Sequence, residues 1–581
     1  MLQFFKFVGA TIVGLFLFSF IAILFLAGIG SAISSSDTPK IKDKSVLYLN
    51  LSKPIAERAE ENPLKDLDIP FGNTSAKAGL LEIVQAIKNA KNDKKIKGIY
   101  INTQSVGTGY AALKEIRDAL IDFKKSNKFI YAYGEYYTEG AYYLASVADR
   151  IYLNPVGIIE FNGIYSETPF IKGTLEKLEV KPEIFRVGEF KSAIEPLILE
   201  KMSEANRLQT QAYLNDIYSV FLEDISISRK ISVEQLRQTA DSMLVRSPDD
   251  ALRYQLATHL AYEDEVLEFM RKELKVDKKE KIQLVSVGTY YKSIESKYAK
   301  GKIAVLFAEG EINSGKSDEG SIGSESIVAE LRKLRKDANV KAVVIRINSP
   351  GGSALASDVM WREIMLTKKE KPVIASMSNV AASGGYYMAM ACDTIVAQPN
   401  TITGSIGIFG VLFNAENLLK NKLGVVTDRV STGKFSDIGN PVRSISEQER
   451  TIIQRNVERG YETFTGKAAQ GRRMSVENLK KIASGRVWSG KQAKENGLVD
   501  ILGSLEVAID IAAKKAKIKE YQVKYYPVQK DFFAKLSGKQ KEETLLRKHL
   551  GEENYHYYQT LQKIKNWQGL QARLPFDIII K

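Results

Sequence analysis

The chain has 581 residues, 44% of them hydrophobic and 26% charged, a length and composition that exceed one hydrophobic core and call for two domains or more. Its single cysteine, Cys392, excludes an internal disulfide and a cysteine-based metal cage, and its three histidines lack ligand spacing, so neither a metal nor a cofactor is expected. The net charge of +14 does not point to nucleic acid, because the lysines are spread among acids over the whole chain; a positive surface beside anionic lipid suits it better.

From Phe7 to Ile33 there is no charged residue. That run exceeds the roughly 20 residues a membrane-spanning helix needs, and also the about 7–15 of a signal-peptide core. One N-terminal transmembrane helix, retained rather than cleaved, is therefore expected within a stub, anchor and linker at 1–45. Lys6 stands on one side of it and Lys40, Lys42 and Lys44 on the other, mixed with Asp37 and Asp43, which leaves the orientation open.

The remainder is written twice. KIKGIYINTQSVGTG (95–109) aligns with NVKAVVIRINSPGGS (339–353), placing Lys97 against Lys341, a displacement of 244. YTEGAYYLASV (137–147) and AASGGYYMAMA (381–391) keep that displacement, with Glu139 against Ser383. RVGEFKS (186–192) matches RVSTGKF (429–435), and LVRSPDDA (244–251) matches RVWSGKQA (486–493), at displacements of 243 and 242. Four blocks in one order predict two homologous domains, 46–300 and 301–525. In the second, the apolar runs KIAVLFA, VKAVVIRI, PVIASM and TIVAQ alternate with helical patterns such as SIVAELRKLRKD. Such runs are parallel strands joined by crossover helices, so the class is α/β. Residues 203–270 and 447–516 are helix-rich arms, and the tail at 526–581 reads as one strand and a charged helix.

Three blocks of the second copy bear groups that the first lacks. INSPGG ends a strand in paired glycines, Gly351 and Gly352, where the first copy has Gly107 and Thr108; such a turn lets backbone N–H groups face a ligand, or is simply a tight turn. Ser383 precedes Gly384 and Gly385 at a helix start, as a nucleophile or as an ordinary N-cap. Ser405 in TGSIGI stands where the first copy has Phe161, as a partner for a catalytic base or as turn chemistry. A serine nucleophile needs a base, and His259, His549 and His556 fall outside every repeated block. Lysine serves when burial lowers its pKa; the repeat offers Lys191 and Lys434.

At these motifs, INSPGG, NVAASGGYYMAMACD, TGSIG and GEFKSAIEP, the chain resembles signal peptide peptidase A in its long, double-domain form, from the anchor to about residue 525. The resemblance implies a membrane-anchored serine protease with a Ser/Lys dyad and tandem Clp-protease/crotonase-like domains, each a spiral of strand-helix units. It implies Ser383 as nucleophile, Lys191 as general base, Ser405 as the group that orients the lysine, and Gly352 and Gly384 as the oxyanion site. It further implies a homotetramer on the extracytoplasmic side of the inner (plasma) membrane, hydrolysing hydrophobic signal-peptide remnants. An acyl-CoA enzyme of the crotonase type and a non-catalytic membrane scaffold are the rival readings. From the repeat itself comes one more expectation: if Ser383 meets Lys191 within a chain, ring closure brings Lys434 of one subunit to Glu139 of the next.

Overall fold

The computed structural model describes residues 2–34, 39–59, 77–294, 299–318, 320–528 and 569–574. The N-terminal helix Leu2–Ser34 spans 33 residues, and its described apolar side chains, Phe7, Phe16 and Phe18 among them, are exposed. Among the described residues no helix is long and apolar enough to cross a membrane. The side chains of residues 22–34, much of the expected anchor, lie outside the described residues.

Each copy builds one sheet whose strands are apolar on both faces, because helices cover both. The first sheet has the order His259–Leu260, Arg150–Ile159, Phe129–Tyr137, Ile96–Asn102, Ser45–Leu49, Leu284–Ser286, with every pairing parallel. One face packs on Leu80–Asn92 and Tyr110–Lys124, whose buried residues Leu80, Ile83, Ala86, Ile87 and Ala90 recur at the helical period. The other carries Tyr100, Tyr131 and Tyr152 against Val266, Met270 and Leu274 of Glu263–Leu274.

The second sheet repeats this plan: Val487–Ser489, Ile402–Gly404, Val373–Ala382, Val340–Ser349, Lys302–Glu309, Gln522–Tyr526. Here Val487–Ser489 runs antiparallel to its neighbour. The long arms correspond closely. Glu204–Arg229 and Glu447–Arg472 are both 26 residues, and each is opened by a serine, Ser203 or Ser446, that accepts a backbone N–H through its side chain. The strand Gln522–Tyr526 crosses the boundary expected at 525, so the second domain's sheet uses a residue assigned to the tail. The charged helix expected in the tail lies outside the described residues.

A third sheet joins the copies. Its order is Ser321–Gly323, Glu311–Asn313, Gly351–Ser353, Gln571–Arg573, Phe409–Asn414, Lys181–Arg186. The last two strands come from different copies and pair antiparallel over six residues, from Phe409↔Arg186 to Asn414↔Lys181. This pairing carries the chain after Arg186, and Lys191 with it, into the second domain.

The joint is also held by Arg346, fully buried on Val340–Ser349. Its Nε donates to Glu57 (2.7 Å), and its Nη1 donates to Glu115 (2.8 Å) and Ser376 (3.0 Å). Its Nη2 donates to Ser378 (3.0 Å). Both carboxylates belong to the first copy, so a buried guanidinium of one domain is satisfied by acids of the other.

Candidate active site

The strand Val373–Ala382 runs straight into Ser383, and the helix Gly384–Ala389 starts directly after it. Ser383 takes φ 53° and ψ −110°, a conformation that an L residue adopts at a cost of about 1–3 kcal/mol. Its side chain caps nothing in the helix, which removes the N-cap alternative. The contrast with the first copy is direct: there Thr138 has an ordinary extended backbone and caps the helix by accepting from Ala141 N–H. The sharp turn survives because its neighbours are small. A Cβ on Gly384 would stand 2.6 Å from Ser357 Oγ, and one on Gly385 2.8 Å from the carbonyl oxygen of Ser349.

Lys191 arrives from the other copy. Its Nζ lies 2.9 Å from Ser383 Oγ, 3.0 Å from Ser405 Oγ and 3.1 Å from Ser405 O. Lys191, Ser383 and Ser405 are all buried, at 1%, 0% and 1% exposure. A neutral amine has two N–H donors and one lone pair. The carbonyl oxygen can only accept, and the Ser405 hydroxyl can take the second N–H, which leaves the lone pair facing the Ser383 hydroxyl. Burial first, and then the charge of Arg573, hold the Lys191 ammonium well below the usual lysine range.

The approach of Lys191 depends on two glycines. A Cβ on Gly485 would lie 2.7 Å from Lys191 Cα, and one on Gly407 3.2 Å from Lys191 Cδ. The first copy has Met243 at the counterpart of Gly485. Gln209 on the long arm then pins the loop: its amide nitrogen donates to Phe190 O (3.2 Å) and Ser192 Oγ (3.1 Å), and its oxygen accepts from Val487 N–H (3.0 Å). Sequence reasoning missed Gln209, Gly485 and Arg573; Gly485 could have been found, since it directly precedes the repeated block RVWSGKQA.

The turn lies beside the residue that follows the nucleophile, and its first glycine is Gly351. Its φ is +98°, and a Cβ there would lie 2.7 Å from Gly384 N. On Gly352 a Cβ would stand 2.1 Å from Ile312 O, so neither position of the turn has room for a side chain.

The remaining candidates are elsewhere. Lys434 lies in an exposed stretch, 420–436, donates to Gln448 and rests over the Phe435 ring. Glu139 is buried in the first domain, its Oε1 accepting from Asn162 N–H (2.8 Å) and Gly163 N–H (2.7 Å). Phe161 fills the place of Ser405 with an aromatic packed on Tyr142 and Phe221. His259 is exposed beside Thr258 on an edge strand of the first sheet, and His549 and His556 lie outside the described residues. Among the described residues no cluster could hold a metal ion.

The model of peptidase family S49 matches the chain twice, at residues 122–277 and 365–519, once in each copy. Protease 4 of Salmonella typhi is 36% identical over 525 residues, which cover 88% of this chain and 84% of that protein. Protease 4 of Haemophilus influenzae is 35% identical, over 84% and 82% of the two chains. The chloroplastic serine protease SPPA of Arabidopsis thaliana is 33% identical, over 82% of this chain and 70% of its own. Two family matches in tandem and similarity across both copies leave no room for the acyl-CoA enzyme or the scaffold: the chain belongs to peptidase family S49 and is a serine protease.

Proposed function

We propose that this protease is a membrane-anchored endopeptidase that removes cleaved signal peptides, with one catalytic centre assembled from both domains. The observation that carries the reading is the 2.9 Å contact between Lys191 Nζ and Ser383 Oγ across the repeat, both groups being buried. Ser383 Oγ attacks the peptide carbonyl while neutral Lys191 takes its proton, and Ser405 holds the amine in place. The oxyanion is met by backbone N–H groups of Gly352 and Gly384. Lys191 then returns the proton to the leaving amine, and water hydrolyses the acyl-enzyme. The helix Leu2–Ser34 serves as the anchor, supported by its uncharged run from Phe7 to Ile33, with the catalytic domains outside the cytoplasm. Each domain is a Clp-protease/crotonase-like spiral of strand-helix units.

The test is labelling with a fluorophosphonate probe and hydrolysis of a quenched hydrophobic signal-peptide substrate. The modified residue is Ser383. Because the base must be unprotonated and its pKa is depressed, kcat/KM climbs about tenfold per pH unit below that pKa and levels above it. A profile that is flat, or that falls with pH across the neutral range, overturns lysine as the base.

The functional assembly is a homotetramer in which Lys434 of one subunit pairs with Glu139 of the next. Glu139 Oε2 has no hydrogen-bond partner and Lys434 is exposed in its own chain; because Glu139 is buried, the pairing requires its carboxylate to turn outward on assembly. Lys434→Glu places two acids at that contact and should shift the mass in detergent toward smaller species, with Ser383 still labelled. An unchanged mass rejects the pairing.

A further inference from the structure

The slot beside the nucleophile already holds a peptide strand, and it comes from this chain. Residues Gln571–Arg573 pair antiparallel with the oxyanion turn: Arg573 opposite Gly351, Ala572 opposite Gly352, and Gln571 opposite Ser353. On its other edge, Gln571 pairs with Phe409. Two further backbone bonds extend the ladder at either end, Ala354 N–H to Leu570 O (3.1 Å) and Leu574 N–H to Pro350 O (2.8 Å). The segment is seated deeply, with Gln571, Ala572, Arg573 and Leu574 between 0% and 3% exposed.

Its position relative to the chemistry is specific. The carbonyl oxygen of Ala572 is the nearest atom to a Cβ built on Gly351 (2.1 Å), and it lies 3.0 Å from one built on Gly384. A main-chain carbonyl therefore fills the space between the glycine turn and the residue that follows the nucleophile. Leu574 packs with Ala382 and Val487 in one core, and Ala572 lies in the other. Arg573 is tied to Glu311 at 2.6 Å. Main-chain pairing along a strand edge, with side chains dropped into pockets, is how proteases and other strand-adding proteins hold extended peptides.

We propose that the segment Leu570–Leu574 is a cis-bound occupant of the substrate cleft, so that a peptide substrate gains access to Ser383 only when this strand leaves. The proposal rests on the Ser383/Lys191 reading above. Gln571–Arg573 belongs to the third sheet alone and is separated from Gln522–Tyr526, the strand before it among the described residues, by a long stretch of chain, so its departure removes no strand from the main sheet of either domain. A tethered strand competes at an effective concentration on the order of millimolar, which sets the barrier that a free peptide meets. Arg573 also contributes to holding Lys191 deprotonated; when the strand leaves, that contribution leaves with it.

The experiment compares the full chain with a chain ending at residue 568. The rate of fluorophosphonate labelling at Ser383 and kcat/KM for a quenched hydrophobic peptide should both rise about tenfold or more in the shorter chain, as expected for removal of a millimolar competitor. An acetylated and amidated peptide of residues 569–574 should then inhibit the shorter chain competitively, and the lower limb of its pH profile should move to higher pH. Equal rates in the two chains, or a peptide that does not compete, overturn the proposal while leaving the protease reading intact. Failure of both chains to label or to hydrolyse overturns that reading, and the proposal with it. Should the shorter chain fail to fold by circular dichroism, Ala572→Glu in the full chain decides, because a long side chain cannot be seated at a position with 0% exposure. Faster labelling supports the cleft occupant; labelling at the wild-type rate or slower overturns it.

Discussion

Ser383→Ala and Lys191→Ala should each lower peptide hydrolysis by about 10⁴-fold or more, the scale on which catalytic nucleophiles and their bases act. Lys434→Ala should leave turnover within about twofold, as surface changes remote from a site usually do. The double variant at Ser383 and Lys191 should be no worse than either single one, because groups that act as a unit are not additive. The basis is geometric. Lys191 Nζ makes three hydrogen bonds, two of them to Ser405, and the third to the hydroxyl it would deprotonate. Replacing it with alanine removes the base and leaves a cavity lined by polar atoms, whereas Lys434 lies at the surface, donating to Gln448 beside Phe435. The measurement is hydrolysis of a quenched hydrophobic peptide by the wild type and the four variants. Loss in Lys434→Ala with retention in Lys191→Ala would mean that the second domain draws its base from its own copy or from a neighbouring subunit, and would overturn the two-domain site.

The repeat made much of this arrangement legible. A displacement near 244 places Ser383 against Glu139 and Ser405 against Phe161, so the loss of hydroxyls from one copy could be read from residue types alone. The alternating apolar runs likewise gave parallel strands, since a strand covered on both faces has no polar side to interrupt it. Which lysine meets Ser383 could not come from the repeat, because Lys191 and Lys434 stand at equivalent places. That choice is made by the antiparallel pairing of Lys181–Arg186 with Phe409–Asn414 and by the missing side chain at Gly485, both long-range facts. The strained backbone of Ser383 is invisible in a sequence that reads equally well as an N-cap. The strand Gln571–Arg573 was missed for a different reason: three residues carry no period, and its partners lie over 150 residues away.

Arg346→Met should destabilise the chain by about 3–5 kcal/mol at pH 8, the usual cost of removing one partner from a buried ion pair, and by much less at pH 5. In the native joint the guanidinium is shared by Glu57 and Glu115, with Ser376 and Ser378 taking further N–H groups. Burial already raises the Glu115 carboxyl against the pull of Arg346. Nearby, Glu309 is pushed up to about 7, first by burial and then by the charge of Glu57. Without the arginine, Glu115 keeps its burial and the charge of Glu57 beside it, so its folded pKa rises further above the unfolded value of about 4.3. A carboxyl raised in this way binds its proton in the folded state where the unfolded chain has released it. Stability is then fully present below the unfolded pKa and is lost as pH rises through the folded one. The deficit must therefore widen from pH 5 to pH 8, and Glu57→Gln with Glu115→Gln in the Arg346→Met background should recover most of it. The first urea transition of the three chains at both pH values is the measurement; equal losses at pH 5 and pH 8 would sink the charge explanation and leave only lost packing. Because these two acids come from the first domain and the arginine from the second, the variant should also lose turnover at urea concentrations where the secondary structure of both domains persists. A site whose base and nucleophile reside on different domains fails as soon as the joint between them opens.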